Sequence, residues 1–124
     1  NMTQMTFLPP TIADMVEEYA TAANQPILKG RYATAIQEEY GEWRDEVNVG
    51  NHSPKAELKE LSDLVYVCYA RAREMGYKLD EAVSLVHKNN MGRMYQPDGT
   101  ILRREDGKII KNPEYPRVYL GDLV

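Results

Sequence analysis

The sequence predicts an all-α protein, a four-helix bundle finished by a short C-terminal β-hairpin and an extended tail. Apolar residues recur at steps of three and four through four successive segments up to Met91, and each segment is bounded by capping or helix-breaking residues. Beyond Met94 the chain changes to turn residues. With 124 residues there is room for one domain, residues 1–124, and for a core with no great surplus, so partners are expected to share it.

The first helix follows a short extended lead ending in Pro9 and Pro10. It places Ile12, Met15, Val16, Tyr19, Ala20 and Ala23 on one stripe, with Thr11 as cap and Asp14 three residues on as its capping-box partner. Asn24, Gln25 and Pro26 break it. A second helix runs through Tyr32, Ile36, Tyr40, Trp43 and Val47 and ends at Gly50 and Asn51. Ser53 caps a third, with Pro54 at its first position, that reaches about Met75 and stops at Gly76. Asp80 is expected to cap a fourth through Ala82, Val83 and Val86 to about Asn90. Asp106-Gly107, between Ile101–Arg104 and Lys108–Ile110, is a hairpin signal, and Pro113 and Pro116 mark an extended tail packed on the surface or on a neighbour.

Composition excludes several classes. Fifteen Lys and Arg against nineteen Asp and Glu leave a formal charge of −4, the wrong sign for a protein that coats nucleic acid. Cys68 is the one cysteine, so an intrachain disulfide framework and a multi-cysteine zinc site are both excluded. No apolar run is long enough for a membrane helix and the N-terminus lacks a signal-peptide pattern, so a cytoplasmic protein is expected. Asn1, ahead of Met2, is expected to be foreign to the natural chain. P-loop, GxGxxG, HExxH and GxSxG patterns are missing from the sequence.

The chemistry concentrates in acidic residues. Helix two carries Glu38, Glu39 and Glu42; helix three carries Glu60 and Asp63. Residues three or four apart share a helix face, and such pairs often do no more than solvate it. Here the third helix is apolar nearly all round from Leu61 to Ala70, which predicts burial, and Asp63 with Glu60 one turn before it would then need a partner or a cation. Glu39, between Ile36 and Trp43, is expected to face inward or across an interface. Two carboxylates about 5 Å apart repel by roughly 3 kcal/mol at an effective dielectric of about 20, so facing pairs call for a neutralising ion. Oxygen ligands without sulfur or a nearby histidine suit Mg²⁺ or Mn²⁺, ions that phosphate-handling sites use.

Glu38-Glu39-Tyr40-Gly41-Glu42 followed by Glu60-Leu61-Ser62-Asp63 resembles the EExxE and ExxD motifs of the MazG-like all-α nucleoside triphosphate pyrophosphohydrolases. The similarity continues through Asp80-Glu81-Ala82, Val86-His87-Lys88-Asn89-Asn90-Met91, Asp98-Gly99, Asp106-Gly107-Lys108 and Lys111-Asn112-Pro113-Glu114-Tyr115, which look like the small single-domain members, phage-type ones included. The resemblance implies metal-dependent cleavage between the α and β phosphates of a nucleoside triphosphate. It places Glu39, Glu42, Glu60 and Asp63 on the metal, with Glu38 binding a further metal or orienting the water. Asn90 and Arg93 would meet the phosphates, Arg93 standing where similar members usually carry lysine; Lys111 and Tyr115 would close the site. It also implies a homodimer or homotetramer, and host cytoplasm as the location if the chain is phage-encoded.

The same resemblance puts Asn24 and Gln25 beside the base pocket, where their donors and acceptors could read a purine edge, with a deoxynucleotide such as dGTP slightly favoured. Trp43 is expected in the core or an interface, with base stacking as its functional alternative. His52 has no partner in sequence and His87 is expected to pack; neither is given a role. Two other readings stand beside the main one: a phosphoribosyl-ATP pyrophosphohydrolase, which shares the fold, and a non-catalytic helical module that binds a metal or partner.

Overall fold

The structure, a computed structural model, describes residues 10–124; the extended lead through Pro9 lies outside the described residues. Among the described residues there are four helices and one two-stranded antiparallel hairpin, as the residue pattern predicts, and a terminal 3-10 turn. It divides into two compact units, one ending at Tyr77 and one running Lys78–Val124.

The first unit holds α1 (Ile12–Ala22), α2 (Arg31–Val47) and α3 (Pro54–Met75). The α1 cap is the predicted capping box: Thr11 Oγ1 accepts the Asp14 N–H at 3.1 Å, and Asp14 Oδ2 accepts the Thr11 N–H at 3.2 Å. Ser53 Oγ accepts the Ala56 N–H at the start of α3, Pro54 fills its first turn, and Gly76 ends it at φ 76°, a conformation that costs glycine little.

At the start of α2 the cap comes from elsewhere in the unit. Gly30, at φ 103°, has no side chain to offer the first N–H groups. Glu74, near the far end of α3, supplies the carboxylate: its Oε2 accepts the Tyr32 N–H at 3.2 Å, and its Oε1 accepts from Arg71 Nη1 at 2.6 Å. Because the start of α2 meets the end of α3, the two helices run antiparallel, and they form the main packing of the unit. α1 lies against α3 through the Glu17–Arg73 ion pair and an edge-on contact of Tyr19 with Tyr66.

The core is thin. Among the described residues the buried apolar side chains are Val16, Ala20, Ala70 and Ala72, and none is fully enclosed. A buried methyl-sized group contributes only about 0.8 kcal/mol, so these side chains are a modest source of stability. The expectation that the apolar stretch of the third helix is buried fails on one face. Leu58, Leu61 and Val65 of α3 are 64, 41 and 39 % exposed and, with Ile12 and Met15 of α1, line a hollow of about 370 Å³. Among the described residues of this unit nothing covers that face.

In the second unit, α4 (Leu79–Arg93) begins after Lys78. Asp80 is therefore not its cap but lies in the first turn beside Glu81, where negative charge suits the helix dipole. The helix also runs three residues past Asn90, which puts Arg93 one turn beyond Asn90 on the same face. The hairpin pairs β1 (Leu102–Arg103) with β2 (Ile109–Ile110), Leu102 opposite Ile110, around the predicted Asp106-Gly107 turn with Gly107 at φ 85°. The tail is bound to its own unit: the Asn112 N–H donates to Arg93 O at 2.7 Å, Asn89 Nδ2 to Pro116 O at 2.8 Å, and the Lys78 N–H to Leu123 O at 2.9 Å.

Candidate metal centre

Toward the end of the α2–α3 pair that the 48–53 connection joins, carboxylate oxygens of Glu39, Glu42 and Glu60 lie within 4.8 Å of one another. The helices dictate this: Glu39 and Glu42 are one turn apart on α2, and the antiparallel partner brings Glu60 to the same level. Glu39 Oε2 and Glu60 Oε2 are buried and receive no hydrogen bond. Burial and then the neighbouring carboxylates Glu42, Asp63 and Glu60 push Glu39 up from 4.5 to about 7. Burial likewise raises Glu60, against the opposing pull of Lys59.

Asp63 is near enough for its charge to raise both, but its Oδ2 is held at 2.6 Å by Lys59 Nζ, one turn earlier on α3, and it stands outside the group of three. Glu38 is exposed and also outside it. A half-buried all-oxygen set with excess negative charge and two buried carboxylate oxygens lacking a donor fits a hard divalent cation.

Glu57, one turn before Glu60, is in a different state. Its Oε2 accepts from Trp43 Nε1 at 3.1 Å and its Oε1 from His52 Nε2 at 2.8 Å. The His52 bond and then the Trp43 bond hold its carboxyl below 4.5. His52 therefore does have a partner, brought to it by the turn into α3 and not by sequence adjacency. Sequence reasoning missed Glu57 because its bond to Trp43 joins two helices; Lys59, four residues before Asp63, could have been found as a helical ion pair.

Of the expected base-pocket residues, Asn24 sits in the loop after α1 at φ 50°, and Gln25 gives its Oε1 to the Tyr32 hydroxyl at 2.8 Å. The second unit brings Asn90, Arg93 and Lys111 around a hollow of about 280 Å³, with Arg93 Nη2 donating to Asn90 Oδ1 at 2.9 Å and Arg93 Nε buried without an acceptor. Tyr115 packs its ring so closely over Gly92 that any β-carbon there would collide with it.

A helical chain with this acidic grouping belongs to a known class, the MazG-like all-α NTP pyrophosphatases. Within that class the model for phosphoribosyl-ATP pyrophosphohydrolase matches residues 8–90, and the chain is a member of that family of pyrophosphohydrolases. No curated protein matches the chain. No described helix is long and apolar enough to cross a membrane.

Proposed function

We propose that this protein hydrolyses a nucleotide between its α and β phosphates and releases pyrophosphate, using Mg²⁺ or Mn²⁺ held by Glu39, Glu42 and Glu60, with Asp63 completing the set once Lys59 lets it go. The observation that carries this reading is the pair of buried, donor-less carboxylate oxygens on Glu39 and Glu60. A divalent cation bound there supplies positive charge against the phosphates and acidifies water. Glu39, poised at about 7, holds a proton on its carboxyl until a cation takes its place. Glu38, exposed beside it, is free to orient the water and accept its proton. In the second unit Asn90 fixes the Arg93 guanidinium, and Arg93 with Lys111 gives that unit's hollow a fixed positive charge suited to phosphate. Tyr115, seated on Gly92, closes over that hollow.

For the substrate, a deoxynucleoside triphosphate with a purine base such as dGTP is our first reading, with Asn24 and Gln25 reading the base edge. Gln25 then reads through its amide N–H groups, since its oxygen is already engaged by Tyr32. Phosphoribosyl-ATP is the second reading, favoured by the family model. Both lose pyrophosphate in the same bond cleavage. The exposed apolar face of α1 and α3 supports a homodimer or homotetramer, acting in the cytoplasm.

The test is a panel of NTPs, dNTPs and phosphoribosyl-ATP with Mg²⁺ or Mn²⁺, scoring pyrophosphate apart from orthophosphate. Pyrophosphate from one class is the expected result; no cation-dependent pyrophosphate from any of them contradicts the reading and leaves the non-catalytic module. Asn24→Ala should slow the preferred nucleotide more than poor ones.

A further inference from the structure

Glu57 presents a puzzle beside the acidic cluster. It lies one turn from Glu60 on α3, yet both its oxygens are taken by donors, one from α2 and one from the turn that leads into α3. Acidic side chains gathered between two helices oppose close approach of those helices when no cation is present. The opposite end is secured by Glu74, many residues away. Beside the cluster, Trp43 Nε1 donates to Glu57 and so ties an α2 side chain to α3 through a bond that no cluster carboxylate makes, and Trp43 is the residue next to Glu42. His52 on the second oxygen fixes the Glu57 rotamer.

Resting on the function proposed above, we infer that Glu57 is a positioning residue for the cation site: through Trp43 it clamps α2 to α3 at the level of Glu42 and Glu60, so that their oxygens keep a cation-sized spacing without the cation. The clamp works through hydrogen bonds and not through the charge of Glu57, because both oxygens are already engaged. Outer residues that hold metal ligands in place are commonly worth about 10–100-fold in metal affinity. Trp43 is the one tryptophan of the chain, so its emission reports on the clamp itself.

The experiment is calorimetric titration of the full chain with Mg²⁺ alone, with Trp43 emission followed in parallel. The unmutated protein should bind Mg²⁺ with little change in emission, since its clamp is already closed, whereas Glu57→Ala should shift the emission before any cation is added. Glu57→Ala and Trp43→Phe should each weaken Mg²⁺ about tenfold, and the double variant no more than either, since they remove one shared bond. Glu57→Gln, whose amide oxygen still accepts the indole N–H, should stay within about threefold of the parent. If Glu57→Gln is as weak as Glu57→Ala while Trp43→Phe binds normally, Glu57 acts by charge and the clamp is refuted. A large shift of Trp43 emission on binding also overturns it, since the clamp would then form only with the cation. No Mg²⁺ binding by the unmutated protein defeats the proposed function first, a result distinct from either of these. Should Glu57→Ala fail to fold by circular dichroism, Trp43→Phe and Glu57→Gln decide the matter.

Discussion

The two ends of the α2–α3 pair treat a buried glutamate in opposite ways. At one end Glu74 is 5 % exposed and fully engaged: burial alone would raise its carboxyl, but the Arg71 guanidinium and the Tyr32 and Gly30 N–H groups outweigh burial and hold it below 4.5. At the other end half-buried Glu39 has no hydrogen-bond donor on its Oε2 and faces mainly further carboxylates, and burial sends it up to about 7. The same residue type on the same scaffold is a structural cap where the chain supplies its partners and, on the function proposed above, a binding group where the chain withholds them.

The largest effect should separate the ends by function. Glu42→Gln or Asp63→Asn should lower turnover on the order of 10²-fold or more, because each removes negative charge needed to hold the cation against the phosphates. Neither should lower the melting temperature of the metal-free protein, since each relieves repulsion. Near-normal turnover in both would erase the distinction.

Next in size is the mirror experiment. Glu74→Ala should cost about 2 kcal/mol of stability in urea unfolding, because Arg71 and the Tyr32 N–H lose a buried acceptor. Turnover per folded molecule should remain within about threefold of the parent, as the loss is one of folding free energy. A Glu74 variant that folds normally but is inactive would mean that this end serves the chemistry too.

The ends should also respond oppositely to pH. Glu39 has a folded value raised from 4.5 to about 7, so its contribution to the stability of the metal-free chain is fully present below pH 4.5 and is lost as pH rises through about 7. Glu74 has a folded value below 4.5, so its contribution is present above that pH and is lost as pH falls through the lowered value. Urea midpoints without metal should therefore decline between pH 5 and pH 8, and saturating Mg²⁺ should remove the decline. The smallest expected effect is at Lys59: Lys59→Met should tighten Mg²⁺ by roughly threefold, by freeing Asp63 and removing an exposed competing charge.

Much of this was legible in the residues. Thr11 with Asp14, Ser53 with Pro54, and Gly76 mark helix ends through local bonds, so the sequence pattern located them. Glu39, Glu42 and Glu60 could be singled out because helical spacing places them on facing stripes. The Glu74 cap was not legible, since Gly30 at a helix start gives no sign of a carboxylate 44 residues downstream. The same is true of Glu57, which Trp43 and His52 reach only after α2 and α3 have paired. Asp80 misled because an acidic residue suits both a cap and a first turn, and only the backbone at Lys78 distinguishes them. The apolar stretch of α3 signals burial without saying by what, and Leu58, Leu61 and Val65 find no cover among the described residues of their own unit.

The central claim, that Glu39 keeps a proton because it awaits a cation, has a direct readout. Mg²⁺ binding measured calorimetrically at pH 6.5 in two buffers of different ionisation enthalpy reports the protons released per ion bound. The account predicts release of most of one proton by the unmutated protein, and release cut to a small remainder in Glu39→Gln if that variant still binds. Mg²⁺ binding with no proton released at pH 6.5, or with the same release after Glu39→Gln, would contradict it.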